Sequence, residues 1–205
     1  AVFREGQLEA IRAVTRDRGR ALVVHRTGWG KSAVYFIATK MLRAGGAGPT
    51  VIVSPLLALI RNQQARAQRV ATPPETVNST NRDARQDIFD RIANDDVDLL
   101  LLSPERLNNL EFRTEVMPEL LPAIGLLVID EVHCISDWGH DFRPDYRRLR
   151  QAVAALPPNV PVLGTTATAN TRVVEDVRGQ LGDGLLVLRG SITLPAYPQA
   201  RDVLR

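Results

Sequence analysis

Short, continuous apolar runs recur along this 205-residue chain: "ALVVH" (21–25), "TVIVS" (50–54), "VDLLLLS" (97–103), "GLLVID" (125–130), "VPVLGTTA" (160–167) and "LLVL" (185–188). "ETVN" (75–78) is a weaker seventh. Continuous rather than alternating runs predict strands buried on both faces of a parallel sheet. Between them, helical patterns cover 5–16, 31–43, 56–70, 81–94, 144–155 and 170–180. In the fourth of these, Ile88, Phe89 and Ile92 share one face and charges occupy the rest. Strand–helix–strand repetition predicts an α/β fold with a mostly parallel central sheet and helices on both faces. Such sheets bind ligands beyond the carboxyl ends of their strands. The pattern holds over residues 1–189; 190–205 carries two prolines and reads as a linker or a poorly ordered tail.

Composition adds limits. The chain is 44% hydrophobic and 24% charged, the balance of a globular domain with a real core. No apolar run approaches the roughly 18 residues of a membrane span, so no membrane partner is expected. The opening residues hold no signal peptide and read as a cut into a longer sequence. A single cysteine cannot form an internal disulfide, which favours a cytoplasmic setting, nucleoid-associated if bacterial. The net charge of +3 weakly favours an anionic partner such as nucleic acid. Lys31 and Lys40 are the only lysines, every other cation being arginine. A lysine at position 31 of such a chain points to a task for a compact ammonium rather than a guanidinium fork.

That task is visible in "ALVVHRTGWGKS" (21–32), which reads strand, glycine loop, helix. Such a loop turns backbone N–H groups and a helix N-terminus towards phosphate oxygens. ATP would lie against Thr27, Gly28, Trp29, Gly30, Lys31 and Ser32. Lys31 would reach the β- and γ-phosphates, and the Ser32 hydroxyl would ligate Mg²⁺. The formal pattern G-x-x-x-x-G-K-[ST] fails at its first position, which is His25. Trp29 either shields the phosphates or turns outward with only its backbone at the site. The second element is "LLVID" followed by Glu131. The strand would deliver Asp130 to the same Mg²⁺, and Glu131 would orient and deprotonate the attacking water. A zinc cage of His133, Cys134 and His140 fits poorly, because the spacing is neither C-x₂-C nor H-x₃-H. Cys134 is more simply a small buried residue.

Over residues 2–170 these motifs resemble the superfamily 2 helicases, and within them the RecQ family of ATP-dependent DNA helicases. "FREGQLEAI" (3–11) looks like the family's opening motif, "TGWGKS" its motif I, "VSPLLALIRNQ" (53–63) its motif Ia. "VNSTN" (77–81) and "LLSPERL" (101–107) match the next two blocks, "DEVH" (130–133) stands for D-E-A-H, and "GTTATAN" (164–170) resembles motif III. The most specific block, "HCISDWGHDFRPDY" (133–146), looks like this family's aromatic-rich loop, which generic DEAD-box RNA helicases lack.

The resemblance implies a RecA-like P-loop NTPase lobe using ATP and Mg²⁺. It implies that Arg4 and Gln7 contact adenine, and that His133 links the hydrolytic site to the DNA loop. Trp138, His140, Phe142 and Arg143 would sense single-stranded DNA; aromatic rings are sequence-tolerant platforms for unstacked bases. Thr166 and Thr168 would couple the two states. Arg61 and Arg106 would either meet DNA phosphates or serve as helix-surface charges. Implied partners are single-stranded and duplex DNA and a second RecA-like lobe of the same parent chain, with 3′-to-5′ movement and work in DNA repair and recombination. The oligomeric state is open. The chain departs from the family at His25–Arg26, usually an apolar residue and proline; at Trp29, usually glycine; at Val132, usually alanine; and at Asp137, usually glutamine. Two other readings stay open: a DEAD/DEAH-type RNA helicase, and a non-hydrolysing, nucleotide-dependent nucleic-acid-binding module.

Overall fold

The computed structural model describes residues 2–55, 75–76, 82–135, 147–182 and 184–190. The strands are β1 (Arg20–Val24), β2 (Thr50–Val53), β3 (Glu75–Thr76), β4 (Leu99–Leu102), β5 (Leu126–Asp130), β6 (Val162–Thr166) and β7 (Leu186–Arg189). The helices are α1 (Gln7–Thr15), α2 (Lys31–Ala44), α3 (Arg82–Ala93), α4 (Pro104–Asn108), α5 (Met117–Ala123), α6 (Arg147–Ala155) and α7 (Thr171–Leu181). All seven apolar runs form strands, the weak "ETVN" included. The helix expected over 56–70 lies outside the described residues.

The sheet has seven strands in the order β3-β4-β2-β5-β6-β1-β7, and every pairing among the described residues is parallel. Successive residues on each strand enter opposite cores. Leu22, Val51, Val53, Leu100, Leu102, Leu127, Ile129 and Val162 face one cluster. Ala21, Val23, Ile52, Leu99, Leu101, Leu126, Val128 and Leu163 face the other. This two-sided burial is why the strands read as unbroken apolar runs. On the second side α1 and α2 cover the sheet with Ala10, Ile11, Val14, Val34, Tyr35 and Leu42. On the first side Ile88 of α3, Leu107 of α4, Leu120 of α5, Leu149 of α6 and Val177 of α7 do so.

Two features differ from the sequence pattern. The segment between β4 and β5 is helical, whereas no helical pattern stands out there in the sequence. Its pieces are short and broken by proline: Pro104 opens α4, Pro118 sits in the first turn of α5 and Pro122 lies inside it. A wide π-helical turn, Phe112–Val116, leads directly into α5. Pro118 has no N–H to continue an ordinary α-helical ladder, which accounts for a wider turn next to it.

The topology brings the chemistry together. The chain leaves β1 for β2 and later returns to place β5 and β6 in the gap. Only β6 therefore separates the loop after β1 from the acidic pair after β5. Register sets them at one height, with Val24 opposite Thr166 and Asp130 opposite Thr165.

At the other end of the sheet, the approaches to β2 and β5 touch backbone to backbone. The Gly125 N–H donates to the Pro49 carbonyl at 2.9 Å. A Cβ at Gly48 would lie 1.7 Å from the Ala123 carbonyl oxygen, and one at Gly125 would lie 2.2 Å from that of Gly48. Gly48→Ala and Gly125→Ala should therefore each destabilise the protein by ~1–3 kcal/mol, the range of overpacking. Gly179→Ala, in α7 where a Cβ meets nothing within 4 Å, should stabilise it by ~0.5–1 kcal/mol. Denaturant titrations of the three variants check both signs.

Candidate active site

β1 ends at Val24, residues 25–30 form the loop, and α2 begins at Lys31. Gly28 (φ 84°) and Gly30 (φ 100°) take left-handed conformations that favour glycine. Gly30 is doubly constrained, since a Cβ there would sit 2.7 Å from the Gln7 amide nitrogen. The loop carbonyls are drawn to side chains. Gln7 Nε2 donates to the Trp29 carbonyl at 3.1 Å, an Arg4 guanidinium N–H donates to that of Gly28 at 2.5 Å, and Lys31 Nζ donates to that of His25 at 2.7 Å. The Arg4 N–H in turn donates to Gln7 Oε1 at 2.9 Å. No side chain caps the first turn of α2, which leaves that end of the helix suited to an anion.

Arg4 and Gln7, expected at adenine, are thus engaged with the phosphate loop itself; Gln7 is buried, 8% exposed. Trp29 does not turn outward. It is 8% exposed and stacks on His25, with ring centroids 3.9 Å apart and planes inclined by 14°. A large ring at this position gains more from packing against the body of the protein than from solvent. Burial, then the charge of Lys31, lowers the pKa of His25, while Glu5 acts the other way. Thr27 and Gly28 are exposed at the loop tip; Ser32 is half-buried.

Asp130 ends β5 and is 4% exposed. Thr165 Oγ1 donates to its Oδ1 at 2.7 Å, and Ser54 Oγ, at the end of β2, donates weakly to its Oδ2 at 3.4 Å. Thr165 and Ser54 escaped the sequence reading. The sign was present, since each is a hydroxyl at the end of a buried strand, but a threonine run does not show which member faces the acid. Glu131 leaves the strand with φ 50°, a conformation that costs a non-glycine residue about 1–3 kcal/mol. That turn aims its carboxylate back along the sheet edge. Glu131 Oε2 lies 3.3 Å from His133 Nδ1, and His133 Nδ1 lies 2.8 Å from Thr166 Oγ1. The Thr166 hydroxyl donates to the Thr168 carbonyl at 2.9 Å. A continuous set of contacts therefore joins Glu131, His133, Thr166 and Thr168.

The charges agree with this wiring. Burial alone would raise the Glu131 pKa, but the hydrogen bond and charge of His133, the charge of Lys31 and the Ala167 N–H together hold it below the ordinary value. The His133 pKa is raised, first by Cys134, whose Sγ lies 3.7 Å from Nε2, and then by Glu131. Both neighbours thus favour the protonated ring of His133. Burial lowers the pKa of Lys31 while Glu131 and Asp130 oppose it. The lysine of the loop and both acids thus share one electrostatic site.

Of the residues expected on the DNA side, Arg106 lies on α4, just past the carboxyl end of β4, and is half-buried. Arg61, Trp138, His140, Phe142 and Arg143 lie outside the described residues.

The description of the DEAD/DEAH box helicase family matches residues 4–177. The chain belongs to this family. Among its relatives, ATP-dependent DNA helicase RecQ of Bacillus subtilis is 36% identical over 182 residues, covering 87% of this chain and 29% of that protein. The probable ATP-dependent DNA helicase RecS of the same organism is 38% identical over 184 residues, covering 87% of this chain and 34% of that protein. The chain thus spans about a third of the length of these relatives. Among solved structures, the helicase domain of Pyrococcus furiosus Hef superposes with a TM-score of 0.67 at 16% identity, covering 91% of this chain and 38% of that one. That likeness bears on the fold alone, a RecA-like α/β lobe. Membership of this family implies use of a nucleotide, and the glycine loop and its facing acids come together at the carboxyl end of the sheet.

Two outcomes follow from this geometry. Thr165→Val deprives a buried carboxylate oxygen of its donor and should destabilise the protein by about 1–3 kcal/mol, whereas Thr165→Ser should recover most of that. Denaturant titration measures both. Because the folded-state pKa of Glu131 is depressed, its ionised form stabilises the fold above the unfolded value near 4.5 and that contribution disappears as pH falls through the folded value. The stability difference between wild type and Glu131→Gln should therefore narrow below about pH 4.5, as followed by thermal melts across an acid series.

Proposed function

We propose that this chain is the first motor lobe of a RecQ-type ATP-dependent DNA helicase. In the whole enzyme, Mg-ATP hydrolysis between this lobe and a second RecA-like lobe drives movement on single-stranded DNA and opens the duplex. The observation that carries this reading is the run of contacts from Glu131 through His133 to Thr166 and Thr168. A hydrolytic carboxylate wired to the neighbouring strand end is what a motor needs and what a passive binding module does not. Similarity to RecQ and RecS supports DNA as the track.

In this reading Ser32 and Asp130 hold Mg²⁺, and their chemistry fits: a hydroxyl and a buried carboxylate are hard oxygen donors, the set magnesium takes alongside phosphate oxygens. When bound, the ion neutralises charge on the phosphates. Lys31 gives up the His25 carbonyl to reach the phosphates. Glu131, ionised and steered by His133, orients the attacking water and accepts its proton. Thr166 and Thr168 pass the resulting shift of His133 to the strand end beyond. Polarity from 3′ to 5′ and a cytoplasmic setting belong to the same proposal and rest on the family likeness.

The test is Mg-ATP turnover by the parent protein with single-stranded DNA or single-stranded RNA at one fixed salt concentration. DNA should stimulate turnover and RNA should not, and Glu131→Gln should retain Mg-ADP binding while losing turnover. Preferential stimulation by RNA would favour an RNA helicase; binding without turnover in the two-lobed protein would favour a nucleotide-dependent binding module. The isolated 205 residues should hydrolyse ATP poorly, because the arginine finger of a second lobe is worth ~10³–10⁵ in rate.

A further inference from the structure

His25 and Trp29, both departures from the family's usual loop, are partners. Their rings stack at 3.9 Å, which closes the phosphate loop from its first residue to its fifth. Two glycines lie against the pair. A Cβ at Gly6, just before α1, would lie 3.7 Å from Trp29 Cζ2 and 3.8 Å from His25 Nε2. A Cβ at Gly190, just after β7, would lie 2.3 Å from both Cε1 and Nδ1 of His25. The first distance is ordinary contact; the second is a collision that only glycine avoids. The backbone around His25 is tied down as well. Its N–H donates to the Thr166 carbonyl at 3.1 Å, its carbonyl accepts from Lys31, and the Gly190 N–H donates to the Val24 carbonyl at 3.2 Å.

We propose that His25 and Trp29 are positioning residues that hold the phosphate loop in its phosphate-accepting shape. Gly190 is the seat that keeps His25 in the pair. The chain leaving β7 therefore acts on the nucleotide site through the His25 ring, without touching nucleotide. The physical basis is preorganisation. A loop with Gly28 and Gly30 has much conformational freedom to lose on binding, and a stacked pair spanning it removes part of that loss in advance. An aromatic stack is worth about a 2- to 10-fold change in affinity. The proposal rests on the reading of this loop as a nucleotide site.

Mg-ADP affinity of the parent protein, measured by calorimetry, tests it. Trp29→Phe preserves a stack and should bind within about 2-fold of wild type. Trp29→Gly and His25→Ala should each weaken binding by about 3- to 10-fold. Gly190→Ala, remote from the nucleotide, should weaken it as His25→Ala does, and the double variant should be no weaker than either single one. Multiplying effects in that double variant, or an unchanged affinity in Trp29→Gly, overturns the proposal. If Gly190→Ala lowers the melting temperature too far for titration, the His25→Ala/Trp29→Gly double variant decides, again by failing to multiply or by multiplying. Lys31→Ala separates the two levels. If it abolishes Mg-ADP binding while Trp29→Gly does not weaken it, the positioning proposal alone fails. If wild type itself binds no Mg-ADP, the nucleotide reading fails with it.

Discussion

A parallel sheet buried on both faces has only its strand ends free for polar chemistry. Leu22, Ile52, Leu100, Leu126 and Val162 are all fully buried or nearly so, and a polar side chain at any of these positions would need a partner that the two cores lack. The functional groups therefore gather where the strands stop. Ser54 follows β2, Asp130 closes β5, Thr166 closes β6 and the glycine loop follows β1. Strand order then decides which of them meet. Because β6 lies between β5 and β1, its terminal threonines stand between the loop and the acids, and their hydroxyls and carbonyls become the wiring.

The two adjacent acids are held by different partners. Asp130 is buried, accepts hydrogen bonds from the Thr165 and Ser54 hydroxyls and lies within reach of the Lys31 charge. Glu131 lies beside His133, whose protonation it favours, and within reach of the Lys31 charge. Its ionised form is favoured, and its direction is set by a partner that is itself bonded to the next strand end. A site of this kind responds as a unit, because a displaced Lys31 or a turned His133 changes the field at Glu131.

Much of this was legible in the residues. Continuous apolar runs marked the five inner strands, because burial on two faces leaves no alternation to confuse with a helix, with a weaker run at the edge strand β3 (Glu75–Thr76) and a short one at the less buried β7. That Lys31 would meet Asp130 and Glu131 was legible because all three follow or close a strand at the same end of the sheet. The helical segment between β4 and β5 was not, because its turns are short and proline interrupts them. The position of Trp29 was not either: a bulky ring in a glycine loop has two directions open to it, and the one it takes is set by its stack on His25 beside Gly6. The grip of Gln7 on the loop backbone was hidden for a similar reason. Nothing in a glutamine's position says whether its amide faces a ligand or the chain.

The glycine contact beneath β2 and β5 has a consequence for how damage to this protein would be interpreted. Gly125 lies five residues before Asp130, roughly 16 Å along the strand at ~3.3 Å per residue, and Gly48 stands at the matching end of the strand that leads to Ser54. Were that contact forced apart by a side chain, a tilt of only a few degrees there would move the Asp130 end of the strand by about an ångström, and misplacement of that size can cost ~10²-fold in rate. A lesion at the far edge of the sheet, distant from every phosphate, would thus imitate a lesion of the chemistry itself.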